Sequence, residues 1–178
     1  MKNGDGSGFP TFWWRVTMTH MVAYFAAGLV AWNLLSIRET YDTYLMSTVS
    51  KPVDSPWLAA ATVLQVVTGL VWSVALWPFR QTLLGDEGWW KLWVLLVGLS
   101  ILGTESPAPG SIDGVIYLTL PIREHLKCLP EVLLQTLLSS WMLHYWYRKP
   151  RRAWSVVSIV FLAFFTLMTA AVFLSPRP

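Results

Sequence analysis

Five apolar stretches run through the 178-residue chain, each bounded by Trp, Lys, Arg or Pro, and leave little of it for a soluble domain. A helix that crosses a bilayer needs about 20 predominantly apolar residues. The stretches cover residues 13–35, 57–77, 89–104, 130–146 and 154–173. They predict an all-α integral membrane protein, a bundle of five transmembrane helices that forms one domain over residues 12–174.

The composition agrees with a membrane protein. Charged residues make up 13% of the chain, against about 25% in soluble domains. The 12 tryptophans suit the interface between lipid and water. The aromatic residues lie at the ends of the stretches and are not interleaved with a basic stripe, so we expect no nucleic-acid partner. With Cys128 as the single cysteine, a paired-thiol oxidoreductase is excluded.

The third stretch is the shortest. Between Lys91 and Glu105 the uncharged run covers only 13 residues, 92–104. If Trp89, Trp90 and a snorkelling Lys91 extend this run, the helix is long enough to cross a thin bilayer. The alternative is a segment that enters the bilayer and leaves on the same side.

The distribution of Lys and Arg decides between these two topologies. The densest basic cluster, Arg148, Lys149, Arg151 and Arg152, predicts a cytoplasmic loop. Five crossings then place eight Lys and Arg residues inside and five outside, whereas a re-entrant third stretch gives six inside and seven outside. We therefore predict a multi-pass protein of the cell (inner or plasma) membrane. Its flexible tail of residues 1–11 is cytoplasmic, and the short tail 175–178 lies outside.

One connection is longer than its neighbours require. Residues 103–129 form a predicted outer loop of 27 residues, which begins with the turn-forming Pro107, Pro109 and Gly110. Its middle, residues 115–122, is apolar but too short to cross. We interpret the loop as a structured lid on the outer ends of the helices, or as a re-entrant segment that enters the bilayer and returns to the same side. Long loops in compact proteins are usually functional. A plain interfacial helix is the alternative.

Polar residues in two stretches predict a pocket. Gln65 and Gln135 lie within apolar segments, and a glutamine that faced lipid would leave its amide without a partner. Both should therefore point into the bundle. With loop residues they form a candidate polar pocket, where we expect function to concentrate: Gln65, Glu105, Asp113, Arg123, His125, Glu131 and Gln135. Ordinary hydrogen bonding between helices is the alternative.

A second candidate site lies near the opposite ends of the helices. His20 and Tyr24 share one face of the first stretch, and His144 lies near the end of the fourth. Neutral imidazoles can ligate a haem or chlorin or hold a quinone headgroup. The alternative is that the histidines and surrounding tryptophans belong to the membrane interface. We expect no other cofactor and no metal site.

No recognisable catalytic, phosphate-binding or metal motif occurs in the chain, so enzymatic activity is left open. The last stretch is apolar on nearly every side, which is typical of a helix that contacts lipid or another membrane protein. The first hypothesis is thus a non-enzymatic accessory or structural subunit that binds other membrane subunits or itself. The second is a small membrane enzyme or transport component that uses the outer pocket. The third is a haem-, pigment- or quinone-binding protein that uses His20 and His144.

Overall fold

A computed structural model describes residues 8–35, 39, 51–52, 55–86, 88–102 and 108–175. These residues are almost entirely helical and contain no strand, so the all-α prediction is confirmed for them. The α-helices are α1 (Phe9–Leu34), α2 (Pro56–Leu76), α3 (Arg80–Leu83), α4 (Gly88–Val97), α5 (Ile112–Tyr117), α6 (Ile122–Arg148) and α7 (Arg152–Leu174). A 3-10 turn, Trp77–Phe79, joins α2 to α3, and a π-helical turn, Gly98–Leu102, continues α4.

Prolines mark several helix boundaries. Pro10 and Pro56 occupy the first turns of α1 and α2, where a missing N–H costs no hydrogen bond. Pro150 separates α6 from α7, because a residue that precedes proline is disfavoured in the helical conformation. Lys149 accordingly has φ −129° and ψ 72°.

Helix α1 is central. It packs against α2 on one side and α6 on the other, while α4 packs on α6 and α7 packs on α2. The contact between α1 and α2 is especially close at Gly69, where an added methyl group would lie 2.6 Å from the Thr17 Cα atom. Glycine is therefore required at this crossing.

Polar side chains are concentrated in the interior. Those buried in the described part of the chain include Arg15, Thr17, Thr19, Thr62, Ser73, Thr136, Ser139, Ser140 and Ser158. The outer surface instead carries large apolar side chains, most continuously on α7, whose one buried residue is Ser158. Soluble monomers rarely expose contiguous apolar patches larger than a few hundred Å².

Two helical segments of the described chain are long and apolar enough to cross a membrane, Pro56–Leu83 and Arg152–Leu174. The other long helices, α1 and α6, carry more polar residues, because they supply much of the polar interior. Residues 89–102 of the predicted third crossing, 89–104, belong to α4 and its π-helical turn, and residues 103–104 lie outside the described residues.

The predicted boundaries differ most at the outer loop. Residues 122–129, assigned to the loop 103–129, instead form the start of α6. The predicted boundary at Pro130 follows from the charged residues before it, yet Pro130 lies inside α6 without ending it. Residues 9–11, assigned to the flexible tail, begin α1. The remainder of the loop contains α5, and residues 103–107 lie outside the described residues.

Candidate functional site

A cavity of about 250 Å³ lies inside the bundle, between α1, α2, α4 with its π-helical turn, and α6. One end is apolar and is closed by Val16, Leu76, Leu92 and Leu143, which belong to a buried cluster of leucine and aromatic side chains. The rest of the wall is rich in polar side chains. These are Thr19, His20, Tyr24, Gln65, Thr68, Ser100, Gln135, Thr136 and Ser139.

The clearest polar contact in the cavity joins two helices. Nε2 of His20 on α1 lies 3.0 Å from Oε1 of Gln65 on α2. An amide oxygen only accepts hydrogen bonds, so the imidazole Nε2–H donates. In the neutral ring Nδ1 is then an acceptor, and the Gln65 NH₂ group keeps its two donors. The pair therefore presents both kinds of hydrogen-bonding group to the cavity.

The hydroxyls on the wall fall into two classes. Thr19 and Thr136 donate to carbonyl oxygens of their own helices, Arg15 and Val132, each at 2.8 Å. The Ser139 hydroxyl is buried and has no hydrogen-bond partner among the described residues. A buried polar atom without a partner is costly, which makes Ser139 a natural contact for a bound molecule.

The cavity combines residues from both predicted sites. Gln65 and Gln135, from the candidate polar pocket, line it together with His20 and Tyr24, from the candidate cofactor site. The orientation of both glutamines toward the interior agrees with the burial argument. His144 does not line this cavity, and its Nδ1 is buried without a partner in the described part of the structure.

The charged members of the predicted outer pocket do not line the cavity. Arg123 lies 3.0 Å from the carboxylate of Glu124, which is also 3.0 Å from Lys127. Asp113 is in the first turn of α5. Glu131 lies beyond the cavity, one turn from Gln135 on α6, and faces Gly28 of α1. Glu105 is outside the described residues.

The His125 side chain has a structural role. Its side chain is only 2% exposed, and its Nδ1 accepts a hydrogen bond from the Gly110 N–H at 3.1 Å. Gly110 has φ +91°, a conformation that favours glycine. Ser111 completes the turn, because its hydroxyl accepts from the Gly114 N–H at 2.9 Å and donates to the Ala108 carbonyl at 2.8 Å. His125 thus fixes the loop onto α6.

Cys128 follows on the same helix and is half-buried. Partial burial disfavours the charged thiolate, which is the form of the side chain that acts as a nucleophile and as a metal ligand. No group of three or more His, Cys, Asp or Glu residues that could hold a metal ion occurs among the described residues.

Several residues on the wall, among them Thr68, Trp72 and Ser100, were not singled out from the sequence. Thr68 and Trp72 follow Gln65 by three and seven residues, which is the spacing of one helical face, so the pattern was present. Ser100 lies in the π-helical turn, whose altered register a regular helical repeat does not reveal.

Comparison of the chain with protein-family models, with curated proteins and with solved structures finds no match.

Proposed function

We propose that the chain is a multi-pass membrane protein in which α1, α2, α4 with its π-helical turn, α6 and α7 cross the bilayer. The distribution of polarity supports this proposal, because polar side chains share the interior with apolar ones while large apolar side chains also cover much of the outer surface. The basic residues favour a cytoplasmic N-terminus and an external C-terminus.

Within this framework, we propose that the protein binds a small uncharged ring compound with carbonyl oxygens, such as a quinone headgroup. The observation that carries the proposal is the His20–Gln65 pair on the wall of the cavity. The Gln65 amide and the Ser139 hydroxyl can donate to carbonyl oxygens, while His20 Nδ1 can accept from a hydroxyl. Trp72 supplies an aromatic face.

The size and charge of the cavity narrow the ligand class. Its wall contains no Asp, Glu, Lys or Arg among the described residues, so a charged ligand would lack a counter-ion. Its volume of about 250 Å³ is just below the range of about 300–1,000 Å³ typical of ligand pockets. A headgroup suits this space better than a haem or chlorin shared by His20 and His144, since only His20 lines it.

A second proposal concerns assembly, in line with an accessory subunit. Helix α7 exposes apolar side chains along its length, and Phe164 is 55% exposed. Phe161 and Phe165 pack edge-on against Phe25 of α1, which holds this surface in place. We propose that α7 contacts lipid and a neighbouring membrane subunit or a second copy. Activity centred on the outer loop has less support, because its described charged residues do not share the cavity.

Binding of a short-chain quinone to the detergent-purified protein, followed by tryptophan fluorescence, tests the ligand proposal. Gln65→Leu should weaken binding about tenfold or more, because a buried carbonyl of the ligand then loses its donor. His20→Phe should act similarly. His144→Phe is the matched control, since this imidazole is off the cavity, and it should leave the affinity unchanged. Equal losses in His144→Phe and His20→Phe, or no quinone binding by the wild type, would contradict the proposal.

A further inference from the structure

A second recess, which shares Thr19 with the cavity, lies between α1, α6 and α7 and has a volume of about 110 Å³. Its deep wall includes Met18 and Trp146, both buried. Its outer edges are formed by Trp141 and Val157, which are 55% and 57% exposed. The recess, named here the α6–α7 groove, therefore opens sideways onto the apolar surface of the bundle.

The wall of the α6–α7 groove is suited to hydrocarbon. The two aliphatic hydroxyls along it, those of Thr19 and Ser158, each donate to a carbonyl oxygen of their own helix. Neither is then available as a donor to an occupant. Methionine, valine and aromatic side chains make up most of the remaining wall, so a hydrocarbon chain would be bound by apolar contact.

One end of the groove is positively charged. Tyr145 lies on the wall, and the Lys149 ammonium group is 5.5 Å from the centroid of its ring. Arg151 is the N-cap of α7 and lies three residues before Trp154, another residue of the wall. Arg148 forms an ion pair with Asp86, and the neighbouring Lys149, Arg151 and Arg152 are exposed. The apolar recess thus ends beside a group of exposed cations, of which Lys149 and Arg151 flank the turn between α6 and α7.

We propose that the α6–α7 groove binds one acyl chain of an anionic phospholipid, whose phosphate is held by Lys149 and Arg151. The apolar wall can contact the acyl chain, and the exposed cations can pair with the negatively charged headgroup. The two ends of the groove therefore complement the two parts of one lipid molecule. Basic residues next to a membrane-spanning helix attract anionic lipids. The inference rests on the proposed membrane placement but not on the proposed quinone site.

Native mass spectrometry of the detergent-purified protein tests this inference with phosphatidylglycerol and phosphatidylcholine of identical acyl chains. The wild type should retain phosphatidylglycerol preferentially. Each of Lys149→Gln and Arg151→Gln should weaken phosphatidylglycerol binding about fivefold and leave phosphatidylcholine unchanged. Lys149→Arg should preserve the preference, because it keeps the charge.

Lys91→Gln is the matched control. The Lys91 ammonium is 5.8 Å from the centroid of the Trp90 ring, but neither residue lines the groove. This variant should retain lipid like the wild type. Val22→Phe, which adds bulk to the groove wall, should lower retention of both lipids while all charges remain.

Equal retention of the two lipids by the wild type would overturn the inference. Equal loss of phosphatidylglycerol in Lys91→Gln and Lys149→Gln would do so too, as would unchanged lipid retention in Val22→Phe. Binding of inorganic phosphate at the same cations without any lipid would also overturn it. A protein that stays soluble without detergent would instead contradict the proposed membrane placement. A failed quinone titration would leave the lipid result intact.

Discussion

At the residue scale, partial burial of Cys128 affects the reactivity of its thiol. Cys128 is the only cysteine in the chain and lies half-buried near the start of α6. Removal from water disfavours the charged thiolate more than the neutral thiol. The thiol should therefore react slowly in the folded protein.

Alkylation by iodoacetamide, followed by mass spectrometry, checks this prediction. Since Cys128 is half-buried and the thiolate is the reactive form, the folded protein at pH 8 should react more slowly than the unfolded chain. The reaction rate of the folded protein should rise with pH, because the thiolate fraction does. Equal rates in the folded and denatured protein at pH 8 would show that the site is not desolvated.

The candidate site was partly predictable at this scale. Gln65, Gln135 and His20 were identifiable because polar groups in apolar segments must find partners inside the bundle. Their grouping was not predictable, since it depends on how far each helix is shifted along its neighbours. The sequence assigned His20 and Gln65 to different sites, yet their side chains are hydrogen-bonded. His125 had the signature of a pocket residue and instead holds Gly110 in its turn.

At the scale of elements, the packing of α1 on α2 depends on one glycine. A methyl group at position 69 would meet the backbone of Thr17, which cannot move without displacing α1. Gly98 in the π-helical turn is the opposite case, because an added methyl group would have no neighbour within 4 Å. Substitution of Gly98 is therefore a matched control for substitution of Gly69.

Gly69→Ala should destabilise the fold by about 1–3 kcal/mol, the usual cost of overpacking a close contact. The apparent Tm in detergent should fall by several degrees. Quinone affinity should fall as well, because Gln65 lies one turn from Gly69 on the same helix. Gly98→Ala should leave both quantities nearly unchanged. A Gly69→Ala protein with the wild-type Tm would show that α1 and α2 are not in close contact at this crossing.

Helix positions followed from the apolar stretches, but helix ends did not. Charged residues such as Arg123 and Lys127 made the start of α6 look like a loop, and Pro130 looked like its beginning. The helix begins eight residues earlier, at Ile122. Salt bridges of Glu124 with Arg123 and Lys127 satisfy these charges on the first turns. Such contacts are not visible in a hydrophobicity pattern.

At the scale of the whole molecule, the inward arrangement of polar groups favours a membrane-embedded bundle. The helices that supply the polar interior, α1 and α6, are less apolar than the peripheral α7, as expected if the surroundings are lipid. Composition alone predicts a membrane environment. It could not determine whether α4, ten residues long before its π-helical turn, reaches across the bilayer.

Reporter fusions in a bacterial host test the proposed topology, with alkaline phosphatase active outside and green fluorescent protein fluorescent inside. Five crossings predict fluorescence for fusions after Gly85 and after Arg152, and phosphatase activity for a fusion after Ser55. The fusion after Gly85 is decisive, because a re-entrant α4 would put Gly85 outside while the basic cluster stays inside. Phosphatase activity after Gly85 together with fluorescence after Arg152 would therefore replace five crossings with four. Phosphatase activity after Arg152 would contradict the proposed orientation of the protein in the membrane, since that orientation follows from a cytoplasmic basic cluster.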